Sequence, residues 1–254
     1  MSNPLRQRRV RLPSASEVVG VWEHAVLRSP VERGLTLLGF SEPGRSWSEL
    51  SEIPLGERDQ ALWELRRVMF GPTISGFAAC PACEEKLEFC FEVPEFPQVV
   101  EPDGGAFTRT LAEGEYAIEY RAPTTADVRA AAGISEGTEI RHLFLSRCVL
   151  QAQKQGTTIS LEEVPEELVQ RLEQRLSEEN GAADLRLNLR CAKCTTSWEA
   201  PFDITAFLWA EWETLARSLL FDVIALARAY GWNESEILAM SVARRRFYLD
   251  MVPT

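Results

Sequence analysis

The chain has 254 residues, of which 38 are acidic and 27 basic, for a formal net charge of −11; hydrophobic residues make up 45%. That composition is ordinary for a globular protein with room for a real core, and the acidic balance disfavours general binding to nucleic acid, which needs a basic face. The longest apolar stretch, around Phe207–Trp232, is broken by Glu211, Glu213, Arg217, Asp222 and Arg228, too much charge for a bilayer span.

The first residues hold Arg6, Arg8, Arg9 and Arg11 with no apolar segment, which argues against a secretory signal and predicts a basic, disordered arm over 1–13. Ser14 and Glu17 stand at capping-box spacing before Val18, Val21, Trp22 and Val26, which predicts a helix ending near Pro30. A second short helix is expected through Leu35–Leu38, then a loop with one helical turn over 41–53. Leu55–Phe70 reads as a third helix, with Leu62, Leu65 and Met69 on one stripe and Gly71-Pro72 as its stop.

The texture then changes to strands at Lys86–Val93, Ala106–Leu111 and Glu115–Arg121. Helix is expected again over Thr124–Ala132, Glu139–Gln153 and Pro165–Glu179. Asp184–Arg190 alternates Leu185, Leu187 and Leu189 with polar residues, as a half-buried strand does. From Phe207 to Tyr230 the positions Leu208, Trp212, Leu215, Leu219, Val223, Leu226 and Tyr230 recur at three and four, predicting a long helix that organises the core. Trp209 falls off that stripe and reads as a partner-facing aromatic. Gly231 closes the helix, Asn233 with Glu236 opens a short one through Met240, and a last helix runs from about Val242 to Met251.

The predicted class is α+β, mostly helical, with a small β region. The expected organisation is one compact domain over 14–254: helical 14–72, a first cysteine hairpin and strands over 73–122, a helical insert over 123–183, a second cysteine hairpin over 184–204, and C-terminal helices over 205–254.

Most of the chemistry lies in one internal repeat. Cys80-Pro81-Ala82-Cys83-Glu84-Glu85-Lys86-Leu87-Glu88 recurs 111 residues later as Cys191-Ala192-Lys193-Cys194-Thr195-Thr196-Ser197-Trp198-Glu199, and the match continues as Phe91-Glu92-Val93 against Phe202-Asp203-Ile204. A Cys-x-x-Cys turn aims two thiolates to one side of the backbone, and two such turns supply the four tetrahedral ligands that zinc requires. Cys80, Cys83, Cys191 and Cys194 are therefore the candidate ligands of one structural zinc ion, in a zinc-ribbon-like pair of hairpins joined across the chain. A redox dithiol and metal-free thiols are the alternatives; each pair here leads into strand-like sequence, whereas redox motifs open a helix. Glu84 and Thr195 stand where zinc turns often carry Gly. Six cysteines and no sign of secretion point to a reducing compartment. Cys90 and Cys148 read as small core residues, and His24 and His142 as half-exposed helical side chains.

Charge is uneven along the chain. Residues 84–119 hold ten acids against Lys86 and Arg109, either a solvated face or, with the basic arm, a docking surface for proteins. Catalytic grammar is missing: there is no Gly-x-Ser-x-Gly, no His-Glu-x-x-His, no dinucleotide glycine pattern, and none of Lys86, Lys154 and Lys193 follows a phosphate loop. The expectation is a protein that is not an enzyme and takes no small-molecule substrate.

The chain resembles the tailed-phage (T-even type) baseplate hub assembly chaperone family, as found in contractile tails and phage-tail-like injection systems. The resemblance runs from about Leu12 to Val252. It is carried by Pro30-Val31-Glu32-Arg33, Phe70-Gly71-Pro72 leading to Cys80–Cys83, Pro123–Asp127, Cys191–Cys194 with Trp198–Asp203, Phe207-Leu208-Trp209, Leu226–Trp232 with Glu236–Leu238, and Arg245–Leu249. The family pattern Cys-Pro-x-Cys-Gly is departed from at both turns. The resemblance implies a non-enzymatic assembly factor that binds baseplate hub or spike proteins in the cytoplasm of a bacterial host, with no membrane or nucleic-acid partner. A permanent structural baseplate subunit retained in the particle is the alternative. A helix-turn-helix DNA-binding regulator comes last, because the trihelical end carrying Arg244, Arg245 and Arg246 has six acids against five bases over 205–254.

Overall fold

A computed structural model describes residues 11–96 and 108–252. Arg6, Arg8 and Arg9 of the expected arm, the start of the strand expected from Ala106, and the acids Glu101 and Asp103 lie outside the described residues. Within 14–254 the chain gathers into two compact units, the first from residues up to 44, 62–72 and 204 onward, the second from 45–61 and 73–203.

The first unit is helical: α1 (Ala15–Ala25), α2 (Pro30–Ser41), the second half of α4 (Leu55–Phe70), α8 (Ile204–Tyr230), α9 (Glu234–Leu238) and α10 (Val242–Asp250). Its helix starts are written in capping boxes, Ser14 with Glu17, Ser29 with Glu32 and Asn233 with Glu236, and Pro30 sits in the first turn of α2 where its missing N–H costs nothing. The second helix is thus longer than Leu35–Leu38 suggested, because its serine cap lies a full turn and a half upstream. Gly71 and Gly231 take positive φ of 87° and 70° just past the ends of α4 and α8, the left-handed conformation that terminates a helix. Val18, Leu35, Leu38, Leu62, Leu65, Leu208 and Leu226 are buried in this unit, as is Trp212, whose indole N–H donates to the Val18 carbonyl at 3.0 Å and whose ring meets Phe40 edge to face at 5.6 Å. Two buried arginines are matched: Arg66 forks onto Glu211 at 2.8 and 3.0 Å and donates to the Gly71 carbonyl at 2.7 Å, and Arg245 reaches Asp222 at 3.0 Å.

The second unit holds α3 (Trp47–Ser51), the first turns of α4, and three antiparallel sheets. Strands β1 (Thr73–Ala79) and β2 (Lys86–Glu92) form one hairpin, and β7 (Arg186–Arg190) and β8 (Ser197–Pro201) form another. Between them in sequence lies a four-stranded sheet in the order β3 (Thr108–Glu113), β4 (Tyr116–Arg121), β5 (Val149–Lys154), β6 (Thr157–Ile159), accompanied by α5 (Thr125–Ala130), α6 (Gly137–Cys148) and α7 (Glu166–Glu179). Leu111, Ile118, Tyr120 and Ala152 of the sheet pack with Leu145 of α6 and Leu168 and Leu172 of α7 in one buried cluster.

The class is therefore α+β with helices predominating, as expected, but further elements differ from expectation. The helix expected to run through Gln153 stops at Cys148, and residues 149–154 form β5, because they pair with β4 on one side and β6 on the other, and Gln155-Gly156 turn the chain back into β6 with positive φ at both. Strand β1 went unread because Thr73–Ala79 is a run of small and mixed residues; its identity comes from pairing with β2 over its whole length. Among the described residues no helix is long and apolar enough to cross a membrane.

Candidate metal centre

Each Cys-x-x-Cys motif sits at the tip of a two-stranded hairpin. The last pair of the first hairpin is Ala79 with Lys86 and that of the second is Arg190 with Ser197, so both close over a six-residue loop beginning with a cysteine. The two loops carry the same backbone bonds. Cys80 N–H donates to the Glu85 carbonyl at 2.9 Å and Glu84 N–H to the Cys80 carbonyl at 2.9 Å; Cys191 N–H donates to Thr196 at 2.9 Å and Thr195 N–H to Cys191 at 3.0 Å. Glu84 and Thr195 both lie in the left-handed region, at φ 59° and 62°. The repeat in the sequence is thus a repeat in backbone conformation, one that glycine would adopt without steric cost.

All four sulfurs lie within 4.8 Å of one another. Cys80 Sγ is 3.5 Å from Cys194 Sγ, and Cys83 Sγ is 3.7 Å from Cys191 Sγ. Since Cys80 is the repeat equivalent of Cys191, and Cys83 of Cys194, these two contacts exchange under a local two-fold axis. Phe91 and Phe202, also equivalent in the repeat, meet edge to face at 5.3 Å, and Phe89 abuts Phe202 at 6.3 Å. Gly76 on β1 makes room for that aromatic packing: a Cβ there would sit 2.6 Å from the ring of Phe89. A salt bridge of 2.8 Å from Lys193 to Glu85 links the two turns.

These distances fit a four-thiolate metal site. Bonds of ~2.3 Å at tetrahedral angles put neighbouring sulfurs ~3.8 Å apart, close to what is seen, whereas a disulfide needs ~2.05 Å; all six cysteines are free thiols. Cys80 and Cys191 are each 1% exposed and their partners half-buried, so the cluster is screened on two sides. Its electrostatics are polarised. The Thr196 hydroxyl and backbone N–H hold the Cys194 thiol down at about 6. At Cys83 the Glu85 backbone N–H pulls down, but desolvation and the three facing thiols prevail and push it up to about 12. Four sulfurs this close cannot all ionise without a cation between them. The four cysteines singled out in the sequence thus lie close enough to bind a metal ion.

The remaining candidates divide. Cys148 is buried, and desolvation raises its thiol to about 11. His24 and His142 are exposed on α1 and α6. Cys90, expected in the core, is exposed: it lies on the outer face of the β1–β2 hairpin, opposite Ser75 and between Glu88 and Glu92, while Phe89 and Phe91 turn inward. Trp209, expected to face a partner, is only 5% exposed, with the Arg33 guanidinium 5.0 Å from its ring. One polar cluster was missed. Asp127 is buried and accepts from Arg121 at 2.6 and 2.9 Å, from Arg147 at 2.6 Å and from the Thr124 N–H at 2.8 Å. Burial opposes ionisation, but these donors prevail and hold the carboxyl down at about 2. The capping spacing of Thr124 and Asp127 is the signal that could have found it; the two arginines could not be foreseen.

No family model, no curated protein and no solved structure matches this chain.

Proposed function

We propose that the chain is a non-enzymatic assembly factor for the baseplate hub of a contractile phage tail or phage-tail-like injection system, acting by protein–protein binding on a scaffold pinned by one structural zinc ion. The two cysteine hairpins are then the halves of a zinc ribbon. Cys80, Cys83, Cys191 and Cys194 would hold the ion, which supplies cross-linking strength and no reactive position, since four protein ligands leave none for water or substrate. The observation that supports this reading is the convergence of Cys80, Cys83, Cys191 and Cys194 to within 4.8 Å of one another, at two of the segments that the family resemblance includes. The partners are hub or spike proteins in the bacterial cytoplasm, and the acidic stretch over 84–119 steers encounters with them.

A tagged chain co-expressed with the tail genes that adjoin its own should retain hub or spike proteins, identified by mass spectrometry, and lose them on raising salt. Retention of no tail protein under any salt condition would refute the assembly role. Recovery of the chain in purified mature particles would convert it to a permanent subunit.

A further inference from the structure

Among the described residues the strands at a sheet edge are both members of each hairpin, and β3 and β6 of the four-stranded sheet. An open edge offers a row of backbone N–H and C=O groups to any other extended chain, and charge, proline or shortness normally guards it. Lys86, Glu88 and Glu92 guard β2, Arg109 and Glu113 guard β3, Arg186 and Arg190 guard β7, Glu199 and Pro201 guard β8, and β6 is only three residues long. Strand β1 has none of these protections. Its seven residues, Thr73-Ile74-Ser75-Gly76-Phe77-Ala78-Ala79, hold no charge and no proline, and they pair with β2 in unbroken register, so no bulge bends the free edge away. Among the described residues no backbone–backbone bond outside the β1–β2 ladder involves Ile74–Ala79.

The side chains beside this edge define what would add to it. On the outer face of the hairpin Ser75 pairs with Cys90, which lies between Glu88, opposite Phe77, and Glu92, opposite Thr73. All six are exposed, Phe77 by 73%. Glu92 accepts from the Thr73 hydroxyl at 3.1 Å, and neither acid has a basic partner among the described residues. A strand added beside β1 would place its backbone two strand spacings, ~10 Å, from these carboxylates, a gap that an arginine and a glutamate close between them across the small Ser75. We infer that the free edge of β1 takes up an extended segment of a partner protein as a third strand, with a basic side chain facing Ser75 and an apolar one facing Phe77. Backbone hydrogen bonds would supply the affinity and the alternate side chains the selectivity. A second copy of β1 does not fit the same role, because an uncharged strand has no base to offer Glu88 and Glu92. The inference rests on the reading of the chain as a protein-binding assembly factor and assigns that binding a place.

The probe is the synthetic peptide Thr-Val-Thr-Arg-Thr-Val-Thr, blocked at both ends and fluorescently labelled, which reads the same in either direction and sets valine, arginine and valine on one face. The full chain should bind it with a Kd of ~0.1 mM or tighter, and should bind the same peptide with glutamate for arginine at least ~10-fold more weakly. Ser75→Lys, which puts a guarding charge on the edge and meets Glu88 and Glu92 itself, should weaken binding of the arginine peptide ~10-fold or more with the thermal midpoint unchanged. Asn188→Lys, the same change on the exposed face of β7, should have no effect. Amide hydrogen exchange over residues 73–79 should slow in the complex, as strand addition requires, and that over 186–190 should not. No binding of the arginine peptide at ~1 mM, equal binding of the glutamate peptide, equal binding by Ser75→Lys, or unslowed exchange over 73–79 would overturn the inference. Exchange there that slows with the concentration of the chain alone would assign the edge to a second copy instead. In co-expression with the tail genes, hub or spike proteins retained equally by the natural chain and Ser75→Lys would overturn strand addition and leave the assembly role standing. Normal peptide binding with no tail protein retained would refute the assembly role and leave the strand edge standing.

Discussion

Thr195 and Glu84 are held at φ 62° and 59° by the hydrogen bonds of their loops, a conformation that costs a non-glycine residue ~1–2 kcal/mol and a β-branched one most. Thr195→Gly should therefore stabilise the fold by ~1 kcal/mol, seen as a higher midpoint in urea, while Gly231→Ala, at φ 70°, should lower it by a similar amount. Opposite signs at two left-handed positions isolate the backbone effect. Asp127 sets a different test. Its carboxyl falls from an ordinary 3.8 to about 2 on folding, so its contribution is fully present above pH ~4 and disappears as pH drops through about 2. Asp127→Asn should cost ~2–3 kcal/mol at pH 7, because Arg121 and Arg147 lose their shared acceptor, and should flatten the fall in stability between pH 4 and pH 2. An unchanged acid slope would show that the cluster contributes nothing through its charge.

At the scale of elements, α8 carries the first unit. Leu219→Ala should cost ~2–5 kcal/mol and Trp209→Ala ~3–5 kcal/mol, both measured by chemical denaturation. The second value reverses what the sequence suggested. Spacing of three and four marks the central line of a buried face, but not its width. Near its N-terminal end α8 is buried across Ile204, Thr205, Leu208, Trp209 and Trp212, because both α1 and α2 pack there, and a residue one step off the central line is covered too. Local signals were legible wherever a few neighbouring side chains decide the structure: the serine caps, the glycine stops, the start of α9 and the limits of α4 and α10. They failed where a distant strand decides it. Val149–Lys154 is a strand because β4 and β6 flank it, and Thr73–Ala79 because β2 does. Cys90 looked like core because its phenylalanine neighbours are apolar, yet in a two-stranded sheet alternate residues face outward with nothing laid over them.

For the molecule as a whole, the cysteine cluster ties segments more than a hundred residues apart within the second unit. Its membership was legible, since a six-residue loop with fixed hydrogen bonds and a left-handed fifth residue imposes the same pattern twice. The way the loops face each other was not, because the local two-fold pairing of Cys80 with Cys194 and Cys83 with Cys191 depends on chain segments that no local pattern relates. With the proposed zinc site, Cys191→Ser should lower the thermal midpoint far more than Cys148→Ser: the first would remove a ligand and with it metal-linked folding energy, the second only a buried thiol. Equal losses would mean that the cluster holds nothing together. The most direct measurement is elemental analysis of freshly purified protein combined with titration of its thiols. One zinc per chain, with the thiols of Cys80, Cys83, Cys191 and Cys194 unreactive until a chelator is added, is the result this account requires; protein without metal and with all four of those thiols reactive would contradict it.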